Sequence, residues 1–356
     1  MLRYLWIILV LAASPANAVP ANVVRQDFFV SEENGIRISV RQVMAKQAPR
    51  DAPALLLIHG ARVPGIASFD LGVPGESLAA DLATRGLAVY VMDVRGYGAS
   101  TRPKEMQEPA AGRAALVRSN EAARDIGSVV DRIRARRRVR KVGLFGWATG
   151  GKWAGYYASL FPDKVNALIM LNSLYGGSSE HPLMGHRSDM EDPSHPVHFD
   201  PSACGSYRLN EEKSLFGVWD RSIPVESKND WRDPAVARAC AAAASHSDPT
   251  SSTRTPQSFR SPCGAMEDSL SLSLSLATGR QLWDASLISA PTLVLASERD
   301  FWSRPQDREL FQEHLTHAAK VKVVVLKGAT HFVHLERPVH GRQTMVSEVA
   351  DFLSKG

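Results

Sequence analysis

Among 356 residues only three are cysteine, Cys204, Cys240 and Cys263, and all fall in one region. At most one pair can close within the chain, and the sequence leaves the three possible pairings open, together with the state in which none forms. After residue 18 no apolar run approaches the ~20 residues that a helical membrane span needs, so no stable insertion into a bilayer is expected of the rest of the chain. There is no glycine-rich nucleotide fingerprint, no phosphate-binding loop and no His-Glu-x-x-His spacing of a zinc protease. His181, His186, His195 and His198 cluster with Asp189, Glu191 and Asp192 but lack that helical spacing, so they read as loop residues, and neither a metal nor a cofactor is expected. Aromatic residues are sparse at 7% and none interleaves the densest basic run, Arg132 to Lys141. Despite the formal charge of +5, that run reads as a solvated helix end rather than a nucleic-acid surface. With 44% hydrophobic and 22% charged residues, disordered and collagen-like classes are excluded.

What is present begins with a targeting pattern. Met1-Leu2-Arg3, the apolar run Leu5 to Ala13 and the small-residue triplet Ala16-Asn17-Ala18 match a secretory signal cleaved after Ala18. A secreted or periplasmic protein is expected. Val24 to Ser31 and Ile36 to Met44 alternate polar and apolar residues around Glu33-Asn34-Gly35, which predicts an antiparallel hairpin. Leu55 to Ile58 and Leu87 to Met92 are short continuous apolar runs, as in strands covered on both faces, with a helix pattern from Glu76 to Thr84 between them. The alternation goes on through a helix with Ala122, Ile126, Val129 and Ile133 on one face, a strand Val142 to Phe145, a helix from Gly150 to Leu160 and a strand Val165 to Leu171. It stops after Asn172 and resumes at Pro291 to Ala296, followed by Val321 to Leu326 between helix patterns at Gln306 to Leu315 and Gly341 to Leu353. A connection of that length is too long to be structureless and predicts an inserted subdomain. Inside it, Ser269 to Leu276 alternates serine and leucine with the period of a strand.

Gly146-Trp147-Ala148-Thr149-Gly150 has the form of the Gly-x-Ser-x-Gly turn in which a strand enters a helix sharply and exposes a nucleophile, with alanine where serine would stand. Leu57-Ile58-His59-Gly60-Ala61-Arg62 leads out of the first buried apolar run. Asp93 to Ser100 reads Asp-x-Arg-Gly-x-Gly-x-Ser, Ser297-Glu298-Arg299-Asp300 follows a buried strand, and Gly328-Ala329-Thr330-His331-Phe332 follows the last one. In this order the motifs resemble the α/β-hydrolase superfamily over the whole chain after the signal, apart from the insertion. The resemblance implies a mostly parallel central sheet with helices on both faces and an inserted cap. Its expected parts are an N-terminal core piece (19–173), a cap (174–284) and a C-terminal core piece (285–356).

The resemblance also assigns roles. Ala148 occupies the nucleophile position, Asp300 is the acid and His331 the proton carrier, favoured over His334 and His340 by Glu336 and Pro338 behind it; Glu298 reads as a surface residue. The Ala61 and Thr149 amides map onto the oxyanion hole, and Arg62, Trp147, Tyr175 and Trp219 are expected to bind substrate, with Tyr207, Phe216 and Trp231 also shaping the pocket. The implied chemistry is cleavage of a small-molecule carboxylic ester through an acyl-enzyme, here in a form disabled by Ala148. The alternatives are a natural ligand-binding member, or chemistry on esters or carbon–carbon bonds in which His331 acts as a base without a serine.

Overall fold

In the computed structural model, residues 22–176, 181–275 and 281–354 are described. The expected signal, residues 1–18, lies outside them. The hairpin forms as read: β1 (Val23–Ser31) and β2 (Arg37–Ala45) pair antiparallel, joined through Glu33–Gly35 with Asn34 at φ 60°. The continuous apolar runs become strands buried on both faces, β3 (Ala54–Ile58), β4 (Ala88–Met92), β5 (Val142–Trp147) and β6 (Val165–Leu171). Of four further strands, β7 (Tyr207–Asn210) and β8 (Phe259–Pro262) make a separate antiparallel pair, and β9 (Thr292–Arg299) and β10 (Val321–Thr330) return to the main sheet.

The eight-stranded sheet runs β1-β2-β4-β3-β5-β6-β9-β10. It is parallel from β4 onward, with β1 and β2 antiparallel at one edge. Two apolar cores lie on its faces. One packs Ile126, Val129, Trp153 and Tyr157 against Leu56, Tyr90 and Leu144; the other packs Leu78, Leu82, Val349 and Phe352 against Leu55, Leu57 and Phe145. The order reverses around β3, and a crevice at the carboxyl ends of parallel strands near such a reversal is where α/β sheets take ligands.

Between β6 and β9 lie the β7–β8 pair and the helices Glu212–Ser222, Lys228–Trp231, Pro234–His246 and Gly264–Ser275. This segment shares a third core with the main body, where Leu215, Trp219, Ile223 and Val236 meet Val63, Ala67, Leu71 and Leu335. Cys204 and Cys263 form a disulfide across it, and Cys240 is free and buried. The serine–leucine alternation is helical as far as Ser275, not a strand; Leu276 lies outside the described residues. The helix is anchored where the repeat starts: Asp268 accepts from the Ser119 N–H at 2.7 Å and from Arg118 at 3.1 Å, and Ser269 Oγ donates to the Ala265 carbonyl at 2.7 Å. Leucine is a strong helix former, so the leucines extend this start, and the period of two carries no weight without a neighbouring strand to pair with.

Candidate active site

The strand-to-helix turn is built by close contact. Ala148, between β5 and the helix Thr149–Leu160, sits at φ 52°, ψ −121°, a region that costs a non-glycine residue about 1–3 kcal/mol. The flanking glycines allow it: a Cβ on Gly146 would lie 2.3 Å from the Gly150 carbonyl oxygen, and one on Gly150 would lie 2.1 Å from that of Ile58. The Ala148 N–H donates to the Leu171 carbonyl at 2.9 Å, which fixes the turn to β6.

Asp300 and His331 arrive from the ends of β9 and β10. His331 Nδ1 lies 2.7 Å from Asp300 Oδ1. An ionised carboxylate only accepts, so Nδ1 carries the proton and the neutral ring keeps a lone pair on Nε2. Asp300 is itself aimed by the Trp302 N–H at 2.9 Å and the Ser303 N–H at 3.1 Å. The backbone of His331 is held as firmly, its carbonyl accepting from Trp147 Nε1 and from Asn172 Nδ2, each at 3.0 Å. Asn172, at φ 49°, also donates to Ser297 Oγ at 2.9 Å and accepts the Ser297 N–H at 2.8 Å, so one buried amide ties β6, β9 and the histidine loop together. The sequence reading missed it; asparagine just past a buried strand was the available signal, since it tolerates a left-handed backbone.

The loop after β3 is fastened from below. His59 Nε2 accepts the Val94 N–H at 3.1 Å, so its Nδ1 donates to the Gly60 carbonyl at 2.7 Å, and burial holds its pKa below the usual range. Tyr97 Oη donates to the Ala61 carbonyl at 2.9 Å, while Asp93 accepts the Gly65 N–H at 2.8 Å and the Ala99 N–H at 3.1 Å. The Asp93–Ser100 motif is therefore scaffolding for this loop. Thr149 opens its helix, so its N–H is among those with no acceptor inside the helix.

A cavity of about 180 Å³ joins these parts. Ala61, Arg62, Trp147, Ala148, Thr149 and His331 all line it. The segment after β6 adds Leu183, Arg208, Leu215, Val218, Arg221 and Met266, and Phe301, Trp302 and Phe332 close the wall beside the histidine. Two expected substrate-binding residues lie outside it. Tyr175 is buried in the main core, 4.8 Å from the Trp283 ring and 5.0 Å from that of Phe311, with its hydroxyl 3.0 Å from His314 Nδ1. Trp219 stands behind the wall, stacked 4.9 Å from Phe332 and donating from Nε1 to Glu336 at 3.0 Å. Nor do Tyr207, Phe216 and Trp231 reach the cavity: Tyr207 donates to the Glu108 carbonyl at 3.0 Å, Phe216 packs against the third core, and Trp231 stacks on His340 at 3.9 Å. The aromatics of the segment make its own core because they bury the most area there, which leaves mainly aliphatic side chains for its part of the wall.

The remaining expected residues fall as follows. Glu336 accepts from Thr330 and Trp219, and burial raises its pKa. His334 is buried against Trp147, ring centroids 4.2 Å apart, with neither ring nitrogen hydrogen-bonded, and burial holds it well below the usual histidine range. Glu298 is exposed and accepts the Gly328 N–H at 2.7 Å. His186 lies 2.8 Å from Glu191 and His195 lies 3.1 Å from Asp192, and no metal-holding cluster occurs among the described residues.

The profile of the α/β hydrolase fold family matches residues 53–338, and the chain belongs to that family. A stretch of 97 residues is 35% identical to the poly(3-hydroxyalkanoate) polymerase subunit PhaC of Synechocystis sp., covering 27% of this chain and only 22% of that protein. Among solved structures, an epoxide hydrolase variant from Vigna radiata is similar at a TM-score of 0.59 and 15% identity, over 93% of this chain and 99% of that one. E-2-(acetamidomethylene)succinate hydrolase is similar at 0.57 and 18%, over 93% and 100%, and an esterase from Thermogutta terrifontis at 0.52 and 16%, over 93% and 98%. At such identities these three share the fold.

Proposed function

We propose that this chain is an exported, capped α/β hydrolase whose site is built to cleave a small carboxylic ester through a serine acyl-enzyme, and that with Ala148 at the nucleophile position it is disabled. The observation that carries the reading is the Asp300–His331 hydrogen bond of 2.7 Å, standing over the same cavity as the strained residue 148. With serine at that position, its oxygen attacks the ester carbonyl and His331 Nε2 takes the proton. The Ala61 and Thr149 amides hold the oxyanion, His331 returns the proton to the leaving alcohol, and water repeats the cycle to release the acid. Residues 174–284 act as the cap that excludes water between the core pieces 19–173 and 285–356. Export accords with the signal pattern of residues 1–18 and with the Cys204–Cys263 disulfide, a bond that persists in oxidising compartments.

A second reading rests on Ala148 itself. In a natural member of the family without the nucleophile, the cavity would hold a ligand, or His331 would act as a base on water or on a bound carbon acid. The experiment is to compare the mature chain with its Ala148→Ser variant on short and aromatic p-nitrophenyl esters. Loss of a nucleophile costs about a million-fold in turnover, so the variant is expected to gain several orders of magnitude and to lose the gain when His331→Ala is added. Absence of turnover in both forms would remove the acyl-enzyme reading and leave the second.

A further inference from the structure

The cavity wall is cationic without compensation. Arg62, Arg208 and Arg221 line it, and among the described residues no aspartate or glutamate does. The four fully buried arginines have carboxylates: Arg95 meets Asp125, Arg260 meets Asp248, Arg232 meets Asp220, and Arg342 meets Glu76 and Asp81. Arg208 is half-buried. It stands on β7 with no carboxylate partner among the described residues, and its Nε is enclosed without a hydrogen-bond acceptor. Arg62 has only neutral acceptors, Asn210 Oδ1 at 3.0 Å, Ser214 Oγ at 2.9 Å and the Ser214 carbonyl at 3.3 Å. These fix the Arg62 guanidinium from the inserted segment without neutralising it.

We propose that the ligand of this cavity is a small molecule bearing a free carboxylate, received by Arg208 with Arg62 beside it. Burying a cation without a counter-charge is unfavourable, and a planar guanidinium fork fits a planar carboxylate with two parallel hydrogen bonds. Two cations facing one space strengthen the demand: burial and then the charge of Arg62 push the Arg208 pKa down to about 9, and burial lowers that of Arg62. A bound anion relieves both effects. The volume of about 180 Å³ has room for the carboxylate-bearing part of a compact guest, since an apolar cavity of ~150 Å³ takes one benzene ring. That the guest is also an ester rests on the function proposed above; that it is anionic does not.

The test separates the two. Calorimetric titration of the mature chain, with Ala148 in place, compares monomethyl glutarate with dimethyl glutarate, and inorganic phosphate serves as the other anion. The monoacid is expected to bind about tenfold or more tightly than the diester, the worth of one charge-assisted hydrogen bond, and Arg208→Met is expected to abolish the preference while raising the thermal midpoint, because it removes an unpaired, half-buried cation. Arg62→Met is expected to weaken it by less. Equal affinity for the two glutarates, no binding of the monoacid at millimolar concentration, a preference that survives Arg208→Met, or tighter binding of phosphate than of the monoacid would each overturn the proposal. In the Ala148→Ser background, p-nitrophenyl hemiglutarate and p-nitrophenyl valerate give the catalytic counterpart. Turnover without a preference for the hemiglutarate refutes the carboxylate site, whereas a binding preference without turnover refutes the acyl-enzyme reading alone.

Discussion

Replacing Asn172 by alanine should be among the most damaging single truncations near the site, although Asn172 lies outside the cavity wall. Its amide nitrogen serves Ser297 Oγ at 2.9 Å, the His331 carbonyl at 3.0 Å and the Thr330 carbonyl at 3.4 Å, and its oxygen serves the Ser297 N–H at 2.8 Å. After truncation the His331 carbonyl keeps Trp147 Nε1 as a donor, so the uncompensated losses are the Ser297 N–H and the weaker contacts to Ser297 Oγ and Thr330. A buried donor left without an acceptor costs about 1–3 kcal/mol, and the neutral contacts add about 1 kcal/mol. Alanine at φ 49° tolerates the left-handed backbone less well than asparagine, for a further fraction of a kcal/mol. The expected total is about 3 kcal/mol, a large share of the stability of an ordinary domain. Urea unfolding followed by tryptophan fluorescence measures it as a fall in midpoint at unchanged slope. Ser297→Ala, which removes one acceptor only, should cost about 1 kcal/mol, and the double variant should fall short of the sum because the two side chains share a bond. A loss below about 1 kcal/mol for Asn172→Ala would refute the claim that this amide clamps the histidine loop to β9.

Three other changes test separate features. Ala148→Gly should stabilise the protein by about 1 kcal/mol, since glycine reaches φ 52°, ψ −121° without strain; a thermal midpoint at or below that of the parent would count against the strained turn. Lys152 is buried, donating to Ser269 Oγ at 2.7 Å and to the Ala265 carbonyl at 3.1 Å, and burial lowers its pKa from 10.5 to about 8. Between those values the unfolded chain holds a proton that the folded chain has released, so stability from this group rises with pH by up to about 3 kcal/mol, and the rise is expected to vanish in Lys152→Met when the two unfolding-versus-pH profiles are subtracted. The Cys204–Cys263 bond spans a sequence separation of 59, which in the chain-entropy picture is worth about 4 kcal/mol, so the Cys204→Ser/Cys263→Ser pair should lower the urea midpoint strongly while leaving the core strands folded.

The parts legible in the sequence are those where one short stretch settles its own environment. Leu55 to Ile58 and Val142 to Phe145 are apolar without interruption because both faces of β3 and β5 are covered, and no other element leaves that record. Gly146 and Gly150 are legible because a backbone lies where any Cβ would go. Asp300 and His331 stand out in the sequence through their places in two motifs, each at the end of a buried strand. What stayed hidden depends on partners far along the chain. The bond of Asn172 to Ser297 crosses 125 residues, and nothing local distinguishes an asparagine that clamps three segments from one that caps a turn. Trp219 and Tyr175 carry the composition of a pocket wall, yet their hydroxyl and ring N–H found partners in His314 and Glu336 inside the packing, and only the fold says which side of Phe332 a tryptophan occupies. Choosing Cys263 over Cys240 for Cys204 likewise required the placement of β8 beside β7.

Two unfavourable terms meet at one cavity. Ala148 holds a backbone conformation that a mere structural turn would have given to glycine, and Arg208 holds a charge that a mere structural position would have given to methionine or leucine. Neither cost is offset by a protein contact at that residue, while the surrounding elements are satisfied: Asp93, Asp300 and Asn172 each have their acceptors filled by backbone or ring donors. Strain at one residue and an unpaired charge at another, meeting in the lining of one cavity, are costs that a bound molecule can offset, because only the ligand-bound state returns the energy. The strain at residue 148 persists with alanine in place and so belongs to the scaffold, whereas the charge of Arg208 acts only when something negative enters. Binding of an anion to the chain as it stands is therefore the more direct probe of what this cavity is for, and turnover by Ala148→Ser is the probe of what it does to its guest.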